Sequence, residues 1–327
     1  MRRSALVVMT LALLYPAAAF ADGGPSPGVM QGWDGVASPT RQVRYVAFVV
    51  GSKTLITTVR RDGGRVVQFT EVRGQWGIPL VAFNGDAAGV SADGSTLVLG
   101  DVARTASLRK RSSFLVVDAR TLRIRTVLRL PGDFAVDALS PDAQTLYLIQ
   151  HVDARDLTRY VVRSYDLTRG HLNAGVIADK TQAGWVMAGW PVRRATSADG
   201  RWAYTVYSRS GGYPFVHVLD TVNGTAHCVG IPWRGSQVGL WRLKLRIGAD
   251  GLVMDRHNGT PFATITVPTF RFVRAPTPTR AGFPWWIVLV CGAALVASAA
   301  AYRFTRWPGS IPRIQLRRSR TARASSG

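Results

Sequence analysis

Cysteine and glutamate are nearly absent from this chain: there are two cysteines, Cys228 and Cys291, and Glu71 is the only glutamate among 327 residues. Cys291 lies in a long uncharged apolar run, so the two thiols cannot pair, and without an internal disulfide a fold must rest on its core. The scarce carboxylates have structural uses. Asp93, Asp142, Asp199 and Asp250 fall at turn positions, and Asp118, Asp166 and Asp220 close strands. A D-x-D-x-D-G calcium loop, a G-x-S-x-G elbow and a phosphate-cradling P-loop are all missing. The histidines His151, His171, His217, His227 and His257 lack an H-x-x-H or H-E-x-x-H spacing. His217 sits within a strand pattern, where packing explains it, and Cys228 reads as a small apolar residue. No catalytic residue, metal ligand or cofactor motif is assigned from the sequence.

Helical periodicity is also missing between Asp22 and Gly282. In its place stand short runs of Val, Ile, Tyr, Phe and Thr, such as 45–50, 54–59, 96–99, 145–149 and 203–207, separated by Gly, Pro and Asp. That is the pattern of an all-β domain. The runs are ordered by a repeat. Ser91-x-Asp93-Gly94, Ser140-x-Asp142-Ala143, Ser197-x-Asp199-Gly200 and Gly248-x-Asp250-Gly251 each precede a strand, and Ser38-Pro39 is a degenerate copy. Their first residues are spaced by 53, 49, 57 and 51, close to one four-stranded blade. Between them, the strands ending at Asp118, Asp166 and Asp220 are each followed by Thr within three residues (Thr121, Thr168, Thr221). Asp accepts neighbouring backbone N–H groups and Gly takes a positive φ, so every repeat holds two hairpins. A lone four-stranded sheet cannot bury both faces, and stacking the repeats in a ring leaves no end repeat exposed.

These residues resemble the YVTN-type and WD-repeat-like propellers of bacterial exported proteins, in which a V-x-D-x-x-T strand end alternates with an S-P-D-G-x-x-L-Y-V hairpin. The resemblance covers Val36 to Val267 and implies a β-propeller of about five four-stranded blades, with six as the alternative; it implies no particular activity. Two departures stand out. The first marker lacks Asp-Gly, and the last blade, 264–273, looks short, so that N-terminal strands are candidates to complete it.

The ends carry targeting signals. Arg2 and Arg3, an apolar run from Ala5 to Leu14, and Ala19-Phe20-Ala21 form a signal-peptide pattern over 1–21, with an uncleaved anchor as the alternative. Residues 22–35, rich in Gly and Pro, read as a flexible leader to a propeller at 36–274. A Pro/Thr stalk over 275–283 follows, then an uncharged run at 284–302 that as a helix is about 28 Å long, enough to cross a bilayer. Trp285, Trp286, Tyr302 and Trp307 flank it, and seven arginines with no acidic residue fill 303–327. Short basic flanks stay in the cytoplasm, which puts the bulk of the chain outside a cell membrane crossed once. Net charge is +22, and removing the two leader and seven tail arginines leaves +13 on the outer segment. No tight basic cluster with interleaved aromatics is present there, so nucleic acid is not an expected partner.

Some segments escape the repeat. Trp76, Trp185, Trp190, Arg193, Arg194, Arg209, Tyr213, Trp233 and Arg234 lie in Gly/Pro-rich stretches and are the candidate binding residues of a rim. Packing between blades is the competing explanation for the tryptophans. The expected function is a tethered binding or sensing module for an unknown protein, glycan or envelope ligand. The alternatives are a propeller enzyme of lactonase or lyase type and a purely structural envelope protein. The enzyme needs three or more His, Asp, Glu or Arg side chains meeting at the channel mouth.

Overall fold

A computed structural model describes residues 26–103, 107–181, 186–276 and 285–305. The signal-peptide pattern 1–21, the start of the leader, the body of the stalk, the basic tail from 306 on and Trp185 lie outside the described residues. Two units divide the chain after Ala275.

The first unit begins with a two-residue strand, β1 (Val29–Met30), and then builds five sheets in chain order. Blade 1 is β2 (Gly32–Ala37), β3 (Val43–Val50), β4 (Lys53–Arg60) and β5 (Val66–Arg73). Blade 2 is β6 (Trp76–Pro79), β7 (Thr96–Asp101), β8 (Arg111–Asp118) and β9 (Ile124–Pro131). Blade 3 is β10 (Asp133–Leu139), β11 (Thr145–His151), β12 (Arg159–Asp166) and β13 (His171–Leu172), with β14 (Met187–Ala188) added to β12. Blade 4 is β15 (Trp190–Thr196), β16 (Trp202–Ser208), β17 (Phe215–Asp220) and β18 (Thr225–Gly230). Blade 5 is β19 (Lys244–Gly248), β20 (Gly251–Asp255), β21 (Pro261–Thr266) and β22 (Arg271–Arg274). Neighbouring strands are antiparallel throughout. The protein is a five-bladed β-propeller.

One backbone bond recurs in all five blades. The residue just past the third strand donates its N–H to the carbonyl just before the second: Arg61 to Gln42, Ala119 to Ser95, Leu167 to Gln144, Thr221 to Arg201 and Val267 to Asp250. A second bond recurs at every connection between blades. The N–H of Gly74, Gly132, Gly189 and Ile231 goes to the carbonyl preceding the third strand of the blade just completed: Ser52, Lys110, Thr158 and Pro214. In blades 1 and 2 a hydroxyl reinforces the connection. Thr54 Oγ1 donates to the Gly74 carbonyl and accepts from Trp76 N, and Ser112 Oγ does the same with Gly132 and Phe134, all at 2.8–2.9 Å. Trp76 and Phe134 belong to the first strands of the following blades, so these two hydroxyls tie blade 1 to blade 2 and blade 2 to blade 3 by hydrogen bonds as well as by apolar packing.

The hydrophobic clusters follow the same order. One joins blades 1 and 2 around Tyr45, Ile56, Leu97 and Leu115, and one joins blades 2 and 3 around Phe114, Phe134 and Leu148. Two small ones join blades 3 and 4, and the largest joins blades 4 and 5 around Tyr204, Val218, Met254 and Ile265. Strand alternation sends successive side chains to opposite seams, so central strands are apolar on both faces, as in Leu97-Val98-Leu99, which is fully buried.

The marker turns are built as their residues demand. In three of them the Ser hydroxyl donates to the Asp carboxylate and accepts from the first strand N–H, while Asp takes the N–H two residues on: Ser91/Asp93, Ser140/Asp142 and Ser197/Asp199. Asp118, Asp166 and Asp220 each accept two backbone N–H groups in the second hairpin.

Two sequence expectations are corrected. Part of the leader is not loose: β1 pairs with β6, where the free inner edge of blade 2 offers unpaired backbone groups, and β2 begins at Gly32, inside the predicted leader. Blade 5 is not short and borrows nothing from the N-terminus, because β19 supplies its inner strand before the Gly248 marker.

The second unit holds α1 (Trp285–Thr305), of which Trp285–Arg303 is long and apolar enough to cross a membrane and is exposed along its length.

The Ala143 turn yields a prediction. Its φ of 57° matches Gly94 at 67° and Gly200 at 74° in the sister turns, but with a Cβ. Ala143→Gly should stabilise the protein by about 0.5–1 kcal/mol. Gly200→Ala should cost more than that gain, since its Cβ would sit 2.7 Å from that of Ala92. Urea titration of the two variants checks the pair of signs.

Candidate functional site

The inner strands of blades 2, 3 and 4 are bridged by the chain's own residues. After β6 the chain leaves the blade pattern as a small hairpin over 80–87, closed by a Leu80–Ala87 bridge and a Val81 N–H bond to Asp86, before rejoining the inner edge at Val90. This hairpin reaches blade 4, two blades away. Phe83 N–H donates to the Pro191 carbonyl, the Phe83 ring packs on Trp190 (5.5 Å) and Trp241 (6.3 Å), and Asp86 accepts from Arg194 N at 2.6 Å. The Arg193 guanidinium lies 3.8 Å from the same carboxylate.

Arg194 is the centre of this arrangement. Its side chain is 5 % exposed, and it donates to Asp137 Oδ1 and Thr205 Oγ1 at 2.6 Å and to the Asp137 carbonyl at 2.8 Å. One residue thus ties blades 2, 3 and 4 together. Asp137 is 3 % exposed and its Oδ2 makes no hydrogen bond to the protein. Beside it lies a cavity of about 20 Å³, lined among others by Asp137, His151, Tyr160, Tyr207, Ser26 and Pro27. That is room for a water molecule or two and not for a ring-sized substrate.

His217 packs behind the knot with 1 % exposure, its Nδ1 3.8 Å from Cys228 Sγ. Burial lowers its pKa to about 4, against a smaller opposing pull from Asp137. Burial and the nearby Asp179 push the Cys228 thiol up to about 12, so it stays protonated and unreactive at neutral pH.

A second polar group sits at the loop end of blades 2 and 3. Arg109 Nη1 binds Asp101 at 2.8 Å, its Nη2 lies 3.5 Å from Asp133 and donates to the Phe134 carbonyl, and His151 Nδ1 lies 3.2 Å from Asp133. Burial opposes charge on both carboxylates. It prevails at Asp101, whose pKa is raised, and is outweighed at Asp133 by His151 and Arg109. Four ionisable side chains therefore meet, the number an enzyme reading needs, but they are spent on one another and are mostly buried.

The predicted rim residues divide. Trp76 is not at a rim: it is 7 % exposed in the blade 1–2 core, with its indole N–H on the Arg73 carbonyl, because β6 is an inner strand with a blade on either side. Trp190, Arg193 and Arg194 belong to the axis. Tyr213, Trp233 and Arg234 line an open groove between blades 4 and 5 with Pro232, Phe272 and Arg274, and Arg209 lies exposed on the adjoining loop. The axial carboxylates Asp86 and Asp137 were not singled out in the sequence. Neither sits in a marker turn, which is the one signal that sets them apart.

No family model and no curated protein matches the chain. Among solved structures it is similar to Kuenenia stuttgartiensis hydrazine synthase (16 % identity, TM-score 0.44, 77 % of this chain and 66 % of that one). It is also similar to TolB from Acinetobacter baumannii (16 %, 0.37, 68 % and 50 %) and to the Dos1 propeller (10 %, 0.40, 66 % and 52 %). The chain spans just under two thirds of the first and about half of the other two. Overlaps this loose carry no activity across.

Two predictions follow from the axis. Arg194→Ala leaves Asp137 buried and uncompensated, so it should cost about 3–5 kcal/mol in urea titration, whereas the Arg194→Met/Asp137→Leu pair should cost clearly less. His217 has a folded pKa below its unfolded value of 6.5, so the unfolded chain binds the extra proton. Stability should be full above pH 6.5 and fall by up to about 3 kcal/mol as the pH drops to 4. His217→Leu should flatten that slope in a pH series of melting curves.

Proposed function

We propose that this chain is a membrane-tethered propeller that works outside the cytoplasm as an interaction module rather than as a catalyst. The observation that carries it is how little space the inner strands leave. The hairpin over 80–87 crosses from blade 2 to blade 4, and the cavity it borders with Ser26, Pro27, Asp137 and His151 is water-sized. An open groove of Tyr213, Trp233, Phe272 and two arginines offers apolar area and positive charge but no carboxylate or imidazole. Tethering rests on α1 and on the arginines that follow it.

Protease added to intact cells should degrade the blades and leave a C-terminal fragment containing the helix and tail. Protected blades with a clipped tail would overturn the orientation. A second reading, a lactonase- or lyase-type enzyme, has one observation in its favour: His151, held by Asp133, lines the same cavity as the unpartnered Asp137 oxygen. Lactone turnover that disappears in a folded His151→Gln variant would establish it and displace the binding module.

A further inference from the structure

The groove between blades 4 and 5 is a prepared surface. Gln237, in the 3-10 helix Gln237–Arg242, clamps the 209–212 loop: its Oε1 accepts from Arg209 N at 2.7 Å, and its Nε2 donates to the carbonyls of Arg209 and Gly212 at 2.9 and 2.8 Å. The Trp233 indole N–H donates to the Ser236 carbonyl at 3.0 Å and its ring meets Phe262 edge-on at 5.3 Å. Arg274 Nη2 holds the Pro232 carbonyl at 3.1 Å. Large apolar groups nonetheless face out beside these ties, with Tyr213 77 %, Val238 64 % and Trp241 39 % exposed.

Arginine lines the groove without a carboxylate beside it. Elsewhere in the blades several arginines face carboxylates, as at Arg60, Arg109, Arg125, Arg194, Arg201 and Arg246. Among the described residues none of Arg209, Arg234, Arg242 and Arg274 is in an ion pair, and no acidic side chain lines the groove. Exposed aromatic rings set among unpaired arginines are the composition of a bilayer interface, where rings take the headgroup level and cations meet phosphate. The chain leaves blade 5 at Arg274, in the wall of this groove, and the stretch to Trp285 reaches at most about 40 Å even fully extended.

We propose that the Tyr213–Trp233–Arg234 groove docks on the anionic phospholipid headgroups of the bilayer that tethers the chain, which rests on the membrane-tether reading of α1. The test reconstitutes the full chain into nanodiscs of phosphatidylcholine alone or mixed with phosphatidylglycerol and follows hydrogen exchange at 209–214 and 233–242. Exchange should be roughly five- to tenfold slower in the anionic discs, and Arg234→Glu with Arg242→Glu, or high salt, should abolish the difference. Soluble glycerol phosphate added to the phosphatidylcholine discs should give no protection; protection by it would show a free-anion site and overturn lipid docking. Equal exchange in both kinds of disc, with the chain inserted, overturns docking alone. Failure of the chain to co-purify with any disc overturns the tether, and the docking with it.

Discussion

Everything at the axis depends on one buried guanidinium. Arg194 reaches from blade 4 to Asp137 in blade 3, while its backbone N–H takes the Asp86 carboxylate from the hairpin of blade 2. A stack of similar sheets gains stability seam by seam, and the seam between blades 3 and 4 has the smallest apolar clusters of the four that join consecutive blades. The ion pair and its hydrogen bonds supply there what hydrocarbon supplies elsewhere. Burying such a pair carries a desolvation cost, and it is tolerable because three hydrogen bonds surround the guanidinium at once. The consequence is geometric. Through the Asp86 carboxylate, Arg194 holds the 80–87 hairpin of blade 2 against blade 4.

The repeat was readable because its signals are local. A Ser hydroxyl, an Asp carboxylate and a positive-φ residue within four positions are enough to form the marker turn, and Asp118, Asp166 and Asp220 mark the second hairpin in the same way. Blade count then came from counting turns. The axial hairpin escaped notice because Leu80, Val81, Ala82 and Phe83 look like more strand, and what bends them out of the sheet is a partner 108 residues away, Arg194 on Asp86. The first strand escaped for a related reason. Val29–Met30 has no alternating pattern of its own and becomes a strand only because the inner edge of β6 is open beside it.

The candidate site was legible by residue type but not by position. Trp76 and Trp233 sit in similar Gly- and Pro-rich surroundings, yet Trp76 enters an inner strand and is buried between blades, while Trp233 follows an outer strand into a connection and stays half-exposed. The paired arginines Arg193 and Arg194 likewise looked like surface charge. Only the register of β15, which turns Arg194 toward Thr205 and Asp137, shows that they are interior. Local sequence can announce an aromatic or a cation; the blade it belongs to decides whether water ever sees it.

Arginine is therefore used in two ways in one domain, and the difference is whether carboxylates accompany it. With so few acidic residues in the chain, each Asp placed in the interior is one fewer to neutralise the exterior. Asp86, Asp101, Asp133 and Asp137 are committed to Arg193, Arg194, Arg109 and His151 within the first four blades, and Asp118, Asp166 and Asp220 are occupied by backbone N–H groups. The groove between blades 4 and 5 is lined by cations and rings with no carboxylate among them. A surface in that condition attracts anions that come within the Debye length, about 8–10 Å under physiological salt, and less strongly as salt rises. The scarcity of acid that seemed to empty this sequence of chemistry is what gives one end of the propeller its electrostatic character.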